Sequence, residues 1–319
     1  MMFNFLLSLI YKYHKLKFDE YPLSILYYHH VFPDKNPYHP EDLTSRQFDQ
    51  QIKFLAKNFN ILSLKQAISL LKKKALPAKA LVITFDDGYQ DNYTIAAPIL
   101  EKHHCAATFF IATQGVSKGY LWNDVIEQTL RKTTVKGISK NIIGKVINIT
   151  TEHEKIAAFE QLMMKLKFLN HKNRTEKIAQ LSQELNVKDI KQSMMSAKQI
   201  ADLHQRGFSI GAHTHSHTIL STESNEDSYR ELTTNKNNLE EIIGNPIEFL
   251  AFPNGLYKRD FNQTHCDLAH QLGFKAAFST NDGGILNRTK MYAMPRFMPY
   301  RKQLNLFALS IAKIAGEHV

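Results

Sequence analysis

Apolar segments of strand length recur along the chain, and stretches with helical periodicity separate them. The apolar segments are 23–28, 80–85, 106–112, 208–212, 248–252, 275–280 and 292–297. Because most of these runs are almost continuously apolar, they are typical of parallel strands that are covered on both faces. Helical stretches begin with capping boxes, for example Thr44 with Gln47 and Ser63 with Gln66. This alternation predicts an α/β fold built around a parallel sheet.

Polar and ionisable residues follow several of these strands at the point where each strand ends. They are His29 and His30, Asp86 and Asp87, the HTHSH stretch at 213–217, the PNG stretch at 253–255, and Arg296 near the end of the last segment. The carboxyl ends of parallel strands meet at one edge of a sheet or one mouth of a barrel, where α/β proteins place their active sites. We therefore expect these residues to form one site.

The two adjacent aspartates and the histidine stretch together indicate a metal site. Burial of an unpaired carboxylate is costly, so a strand that ends in Asp86 and Asp87 needs a cation nearby. His213 and His217 can converge on one ion if the chain turns after its strand, with His215 pointing away. Two imidazoles and one carboxylate leave a coordination position open, as catalytic zinc sites do. Taken alone, either motif could be a solvated polar loop or an acidic turn.

A second carboxylate beside such an ion supplies a base. A divalent ion acidifies a water molecule, and a neighbouring carboxylate can accept the proton. A metal-activated water molecule and a carboxylate base together can hydrolyse an amide or an ester. The alternation of side chains along a strand does not tell which of Asp86 and Asp87 plays which part.

Three motifs give the chain a resemblance to a known family. They are TFDDGY (84–89), HTHSH (213–217) and FPNG (252–255), and the segments around them occur in the order seen in many members. On these residues the chain resembles the polysaccharide deacetylase family, also called the NodB-homology or carbohydrate esterase 4 group. The resemblance covers roughly residues 23–115 and 195–300.

The resemblance implies a distorted (β/α) barrel of the NodB type that removes acetyl groups from N-acetylated sugars with a divalent metal. Among divalent ions the resemblance favours Zn²⁺, and other divalent ions stay as alternatives. By match to the family motifs, Asp86 is the general base, and the metal ligands are Asp87, His213 and His217. Thr214 would be a supporting hydrogen bonder. The loop of Pro253, Asn254 and Gly255 would line the site, with the Asn254 N–H stabilising the oxyanion.

The chain departs from the family pattern in its third and last motifs. The third motif lacks the usual arginine and tyrosine, so Arg296 is our candidate for holding the base, with a purely structural salt bridge as the alternative. The late histidine that many members use as the general acid is absent, apart from His318. His29 is the candidate substitute, because YYHHV resembles a YHxV stretch of some members. His30, or a buried core histidine without a catalytic role, is the alternative.

We expect two regions in the chain. Residues 1–22 form an N-terminal helix that either lies on a membrane surface or packs on the domain, and residues 23–319 form the deacetylase-like domain. A Lys-rich helical insertion interrupts that domain at about 116–195. Within the insertion, Trp122 and Asp124 are either a sugar-stacking wall or packing anchors.

Composition narrows the location and the partners. The net charge of +10 indicates a solvated basic surface or an anionic partner such as a membrane, and no nucleic-acid-binding module is visible, so no nucleic acid is expected. Two cysteines without a CxxC motif indicate no disulfide framework. The N-terminal stretch lacks the features of a signal peptide, so we expect a cytoplasmic protein. If its N-terminal helix lies on a membrane surface, we expect the protein at the inner membrane face.

The sequence therefore predicts a metal-dependent hydrolase that removes N-acetyl groups from a sugar in a polysaccharide or a lipid-linked saccharide. Two alternatives stay open. One is a catalytically silent glycan-binding or assembly protein on the same fold. The other is a hydrolase of a small amide that is not a glycan.

Overall fold

The structure is a computed structural model that describes residues 9, 11–13 and 15–316. The strands are β1 (Leu23–Tyr28), β2 (Val31–Phe32), β3 (Leu43–Thr44), β4 (Asn60–Ile61), β5 (Ala80–Phe85), β6 (Thr108–Ile111), β7 (Gly137–Ile138), β8 (Ile147–Asn148), β9 (Ser209–Ala212), β10 (Phe249–Ala251) and β11 (Ala276–Phe278). The central sheet runs in the order β1-β5-β6-β9-β10-β11, and all of its pairs are parallel. The short strand β4 pairs with the first residues of β5.

Residues 294–297 lie between β11 and β1 and close this sheet into a distorted barrel. Met294 donates its N–H to Ala277 O at 3.0 Å, and Phe297 donates to Ile25 O at 2.8 Å. The sequence predicts a strand at 292–297, but the structure has only isolated bridges there. Pro295 explains the difference, because it has no N–H to give to a regular ladder. The predicted α/β fold with a distorted barrel is confirmed.

The strands that carry the site agree with the predicted segments. Strands β1 and β5 coincide with 23–28 and 80–85, and the other four strands of the sheet lie inside their predicted segments. All six residues of β5 are buried, as expected for a parallel strand covered on both faces.

Helices cover the outside of the barrel. They are α1 (Ser45–Asn58), α2 (Leu64–Lys72), α3 (Ala97–Lys102), α4 (Thr113–Lys118), α5 (Trp122–Lys132), α6 (Lys140–Ile143), α7 (Glu152–Leu166), α8 (His171–Glu184), α9 (Ala197–Gln205), α10 (Asn225–Ile243), α11 (Gln263–Gln271) and α12 (Leu304–Gly316). The predicted capping boxes at the starts of α1 and α2 are present, since each N-cap and its N3 glutamine satisfy one another's backbone N–H.

Helices α5, α7 and α8 and the β7-β8 hairpin have an apolar cluster of their own. It includes Ile126, Leu130, Ile138, Ile147, Phe159, Leu162 and Leu181. This cluster is separate from the clusters that flank the barrel sheet. We call the segment from α5 to α8 the insertion.

The predicted N-terminal helix at 1–22 lies largely outside the described residues. Residues 11–13 and 15–18 are helical, and Tyr11 is buried against the main cluster. Within the ranges that the structure describes, no helix has both the length and the apolar character needed to cross a lipid bilayer.

Candidate active site

The turn after β5 directs two carboxylates into the mouth of the barrel. Asp86 and Asp87 are only 2% and 5% exposed. Asp87 and Gly88 both have positive φ, and a Cβ on Gly88 would come within 2.9 Å of the Ile111 side chain, so only glycine fits there. A left-handed backbone at a non-glycine residue such as Asp87 is uncommon and marks a conformation imposed by its surroundings.

Asp87 lies against the two histidines that the sequence singles out. Its Oδ1 is 3.2 Å from His213 Nε2 and 3.0 Å from His217 Nε2, and the three candidate ligand atoms lie within 4.8 Å of one another. His213 Nδ1 is 2.8 Å from Ala251 O, so Nδ1 carries a proton and Nε2 is the ring nitrogen that faces Asp87. Ligand atoms about 2.0–2.1 Å from a tetrahedral ion are about 3.3 Å apart, so this trio fits such an ion.

The electrostatics of the trio also suit a cation. Burial alone would raise the pKa of Asp87, but the adjacent His217 and His213 outweigh it and hold that pKa well below its usual range. Burial lowers the pKa of His217 and favours its neutral form. Burial acts in the same direction on His213, but the charges of Asp86 and Asp87 outweigh it and raise the pKa of that ring. An anionic carboxylate and neutral imidazole are the forms that bind a divalent metal.

Asp86 has a different partner. Arg296, which is completely buried, donates from Nη1 and Nη2 to the two Asp86 oxygens, each at 2.7 Å. The guanidinium also donates to Thr84 Oγ1 and Ser279 O, both at 3.2 Å. Burial opposes ionisation of Asp86, but Arg296 and His213 overcome it, so the pKa lies below its usual value. The two roles considered for Arg296, base holder and structural salt bridge, therefore refer to the same contact.

A cavity of about 200 Å³ opens above these groups, between the barrel and the insertion. The barrel side, which we call the barrel wall, includes His29, His30, Asp87, Tyr89, His217 and Asn254. The insertion side, which we call the insertion wall, consists of Trp122, Asn123, Met163 and Lys167.

The loop after β10 reaches this cavity through Asn254. Asn254 and Gly255 have φ values of +56° and +73°, and a Cβ on Gly255 would lie 2.8 Å from Phe252 O. Thr280 Oγ1 donates to Asn254 O and holds the turn. No acceptor for the Asn254 N–H is present among the described residues. Pro253 and Gly255 are buried beneath Asn254.

The neighbouring histidines His29 and His30 differ sharply in their surroundings. His29 lines the cavity, and its ring packs edge-on against Tyr27 without a hydrogen bond to any described side chain. His30 Nδ1 is 2.5 Å from Asp91 Oδ2, and its ring stacks 3.6 Å from that of Tyr89. Burial disfavours the charged form of His30, but Asp91 outweighs it and raises the pKa to about 9.

Residues that sequence reasoning missed hold the HTHSH loop from below. Asn235, buried on α10, accepts from His213 N at 3.0 Å and donates to Thr214 O at 2.6 Å. His215 turns away, as predicted, and its Nδ1 is 2.9 Å from Thr113 Oγ1. Thr214 supports the loop through its backbone, since its carbonyl accepts from Asn235, while its buried hydroxyl has no partner within the described chain.

The insertion contacts the same loop from above. Trp122 Nε1 donates to His217 O at 3.3 Å, and Arg174 Nη2 donates to Ser216 O at 3.2 Å. The Arg174 guanidinium packs 4.8 Å from the centre of the Trp122 ring and is almost completely buried. Asp124 does not face the cavity; it is buried and accepts from Leu121 N and Ser193 Oγ. Nothing local in the sequence signals these contacts, because they join residues about 40 to 95 positions apart.

Comparisons with known proteins agree with this geometry. A family model described as polysaccharide deacetylase matches residues 73–277. YxkH of Bacillus subtilis, provisionally assigned as a polysaccharide deacetylase, is 22% identical over 276 residues, which are 86% of this chain and 70% of YxkH. The poly-β-1,6-N-acetyl-D-glucosamine N-deacetylase of Staphylococcus aureus is 31% identical over 136 residues, which are 38% of this chain and 47% of that enzyme.

Solved structures share the fold over nearly the whole chain. The Streptococcus pyogenes deacetylase PplD, solved with acetate, has a TM-score of 0.62 at 19% identity and covers 92% of this chain and 98% of its own. IcaB from Ammonifex degensii has a TM-score of 0.59 at 18% identity and covers 93% of this chain and 97% of its own. At these identities the likeness concerns the fold.

Proposed function

Since this chain belongs to the polysaccharide deacetylase family, we propose that the residues at its barrel mouth hydrolyse the N-acetyl group of a polysaccharide sugar. The proposal rests on one observation: Asp87 Oδ1 lies close to the Nε2 atoms of His213 and His217, beside the buried Asp86–Arg296 pair. The reaction class is that of a carbohydrate N-deacetylase, which converts an acetamide and water into acetate and a free amine.

Asp87, His213 and His217 would hold the divalent ion. We favour Zn²⁺ because it readily takes two imidazole nitrogens, one carboxylate oxygen and an open fourth position. When bound, the ion lowers the pKa of a water molecule and polarises the acetamide carbonyl. Ala251 O, which faces His213 Nδ1, keeps the ligand nitrogen of that ring deprotonated.

Asp86 is the proposed general base. Its lowered pKa keeps it ionised at neutral pH, so it begins the reaction as a proton acceptor. Arg296 fixes the orientation of the carboxylate, and each carboxylate oxygen keeps a further lone pair for the incoming proton. As the water oxygen bonds to the acetamide carbon, the water proton passes to Asp86.

Asn254 and His29 complete the proposed reaction. The Asn254 N–H donates to the oxygen that becomes negatively charged when the carbonyl carbon turns tetrahedral. Collapse of this intermediate breaks the C–N bond, and His29 donates a proton to the leaving nitrogen. Both residues line the cavity that holds Asp87, and neither the Asn254 N–H nor the His29 ring has a hydrogen-bond partner among the described residues.

The proposed substrate is an N-acetylated polysaccharide or its lipid-linked form. The staphylococcal relative is named for poly-β-1,6-N-acetyl-D-glucosamine, and its similarity supports a related glycan for this chain. Peripheral attachment to the inner membrane face depends on the N-terminal segment, most of which lies outside the described residues, and stays a prediction.

Acetate release tests the function directly. We expect purified protein, reconstituted with Zn²⁺, to release acetate from N-acetylated oligosaccharides. Asp86→Asn should bind the same amount of metal and release acetate about 10²–10⁴-fold more slowly, the usual range for loss of a general base. Equal rates for the two proteins would contradict the role of Asp86. Absence of release by the metal-loaded wild type on a panel of glycans would contradict the function.

A further inference from the structure

Lys167 is the only lysine or arginine among the described residues that line the active-site cavity. It follows directly after α7 and stands on the insertion wall, in the cavity that also contains His29, Asp87 and Asn254. It is partly buried, yet its ammonium has no hydrogen bond and no carboxylate within 4.0 Å in the described part of the chain. An ammonium that loses water contacts on burial needs a compensating partner, because desolvation of a charge is costly.

Two side chains near Lys167, Phe168 and Arg259, act on its ammonium. Its Nζ lies 5.1 Å from the ring centre of Phe168, and the Arg259 guanidinium lies 5.7 Å from the same ring. Burial and the charge of Arg259 lower the pKa of Lys167, and the charge of Asp260 partly offsets them. Arg259 is neutralised by the buried Asp260, at 2.7 and 2.8 Å, so Asp260 is already engaged. Lys167 is therefore the cation of this group that has no carboxylate in direct contact among the described residues.

The carboxylates around the cavity already have other partners. Asp87 faces His213 and His217, and Asp91 pairs with His30. Asp42 lies 3.6 Å from His39 Nδ1, and Glu127 lies 2.7 Å from His39 Nε2. No described carboxylate lies within 4.0 Å of the Lys167 ammonium, and Asp260 acts on it only from a longer distance. An anionic group that enters the cavity would therefore be its first direct ionic partner. The exposed Phe168 ring beside it offers an apolar face to a sugar.

We propose that Lys167 binds an anionic group of the substrate, a phosphate ester or a carboxylate carried by the glycan close to the sugar that loses its acetyl group. This inference rests on the proposed deacetylase function and names its substrate class. Lys167 is then a specificity-determining residue: it selects charged N-acetylated glycans over neutral ones by a charge-assisted hydrogen bond. Because this contact is made equally in the bound substrate and in the transition state, its loss should raise KM and leave kcat nearly unchanged.

The test compares matched substrates and matched variants. The substrates are a neutral N-acetylglucosamine oligomer, the same oligomer with a 6-phosphate, and an oligomer in which a glucuronate neighbours the acetylated sugar. The variants are Lys167→Met and Lys167→Arg. Lys165→Met is the control, because Lys165 is exposed on α7 and does not line the cavity. Steady-state acetate release gives kcat and KM for each pair.

We expect Lys167→Met to lower kcat/KM about tenfold on a charged oligomer, through KM, and to leave the neutral oligomer unaffected. Lys167→Arg should retain most of the preference, and Lys165→Met all of it. Preference for the phosphate or the glucuronate oligomer identifies the anionic group. Equal losses on charged and neutral oligomers, or no loss on any of them, would overturn the proposal.

A binding measurement separates failure of this inference from failure of the function. Calorimetric titration of Asp86→Asn and of Asp86→Asn/Lys167→Met with the three oligomers needs no turnover. A Kd about tenfold weaker in the double variant, for a charged oligomer alone, supports the role of Lys167 even if no acetate is released. Indistinguishable Kd values in the two proteins, for every oligomer, would contradict it.

Discussion

The two walls of the active-site cavity differ in how their polar groups are held. On the barrel wall, the candidate side chains follow parallel strands. The trio of Asp87, His213 and His217 and the Asp86–Arg296 pair are surrounded by fixed partners such as Ala251 O and Thr84. On the insertion wall, Trp122, Asn123, Met163 and Lys167 project from helices with a separate apolar cluster. The difference teaches that the barrel holds the proposed reactive groups among fixed partners, while the insertion adds a wall whose side chains depend on the packing of separate helices.

The walls are nevertheless joined at one place. Trp122 and Arg174 of the insertion donate hydrogen bonds to the carbonyls of His217 and Ser216, in the loop that carries the proposed metal ligand His217. Arg174 is almost completely buried, no carboxylate among the described residues is in contact with it, and burial lowers its pKa to about 10. Such a costly burial indicates that the contact between the walls is specific.

The largest effect is expected on the barrel wall, at His217. We expect His217→Gln to weaken Zn²⁺ binding by more than about 100-fold and to abolish acetate release, because even supporting residues of metal sites cost 10–100-fold. His215→Gln is the matched control, since His215 lies two residues away and contacts Thr113. Metal content after dialysis and chelator competition measure the difference. Similar affinities in the two variants would exclude His217 as a ligand.

The next effect separates His29 from His30. His29→Gln should lower kcat about 10²–10³-fold with unchanged metal content, because the leaving nitrogen loses its proton donor. His30→Gln should lower kcat far less, since Asp91 and Tyr89 engage His30 as part of the structure. Acetate release at saturating substrate measures both. A larger loss in His30→Gln would move the general acid to His30.

The same barrel wall is what the sequence predicts best. Strand ends concentrate function at one edge, and short motifs place Asp86, Asp87, His213 and His217 within a few residues of those ends, so local reasoning brings them together. The insertion wall escapes such reasoning. The contacts of Trp122 and Arg174 and the position of Lys167 depend on how distant helices pack, and neither residue spacing nor periodicity encodes that.

Local reasoning also fails within the barrel where the contact uses the backbone. The resemblance implies a supporting hydrogen bond at Thr214, and the structure makes it through the Thr214 carbonyl, while the hydroxyl is buried without a partner in the described chain. Asn235, on a helix 19 residues long, satisfies the Thr214 carbonyl and the His213 N–H instead. Side-chain amides that bind backbone groups across a fold have no local sequence signature.

A smaller effect tests the junction between the walls. Trp122→Phe removes the indole N–H that binds His217 O and keeps an aromatic ring against Arg174. We expect Zn²⁺ affinity to fall about fivefold, the equivalent of one hydrogen bond of about 1 kcal/mol. Tyr120→Phe is the control, because Tyr120 makes no hydrogen bond to the loop among the described residues. Chelator competition in the absence of glycan separates this effect from any contact with substrate, and equal affinities in all three proteins would mean that the walls are independent.

The smallest effect concerns stability and its dependence on pH. The pKa of His30 rises from 6.5 to about 9 in the folded state, so its pairing with Asp91 stabilises fully below about pH 6.5 and is lost as pH rises through 9. A double-mutant cycle of His30→Gln and Asp91→Asn should give a coupling free energy of about 1 kcal/mol at pH 6 and near zero at pH 10, measured by urea unfolding. The His30–Asp91 pair stands beside the cavity but has no proposed catalytic role. The double-mutant cycle therefore tests whether ion pairing stabilises this part of the barrel wall. A coupling free energy that is the same at both pH values would show that ring stacking on Tyr89, which persists in both protonation states, holds His30 in place.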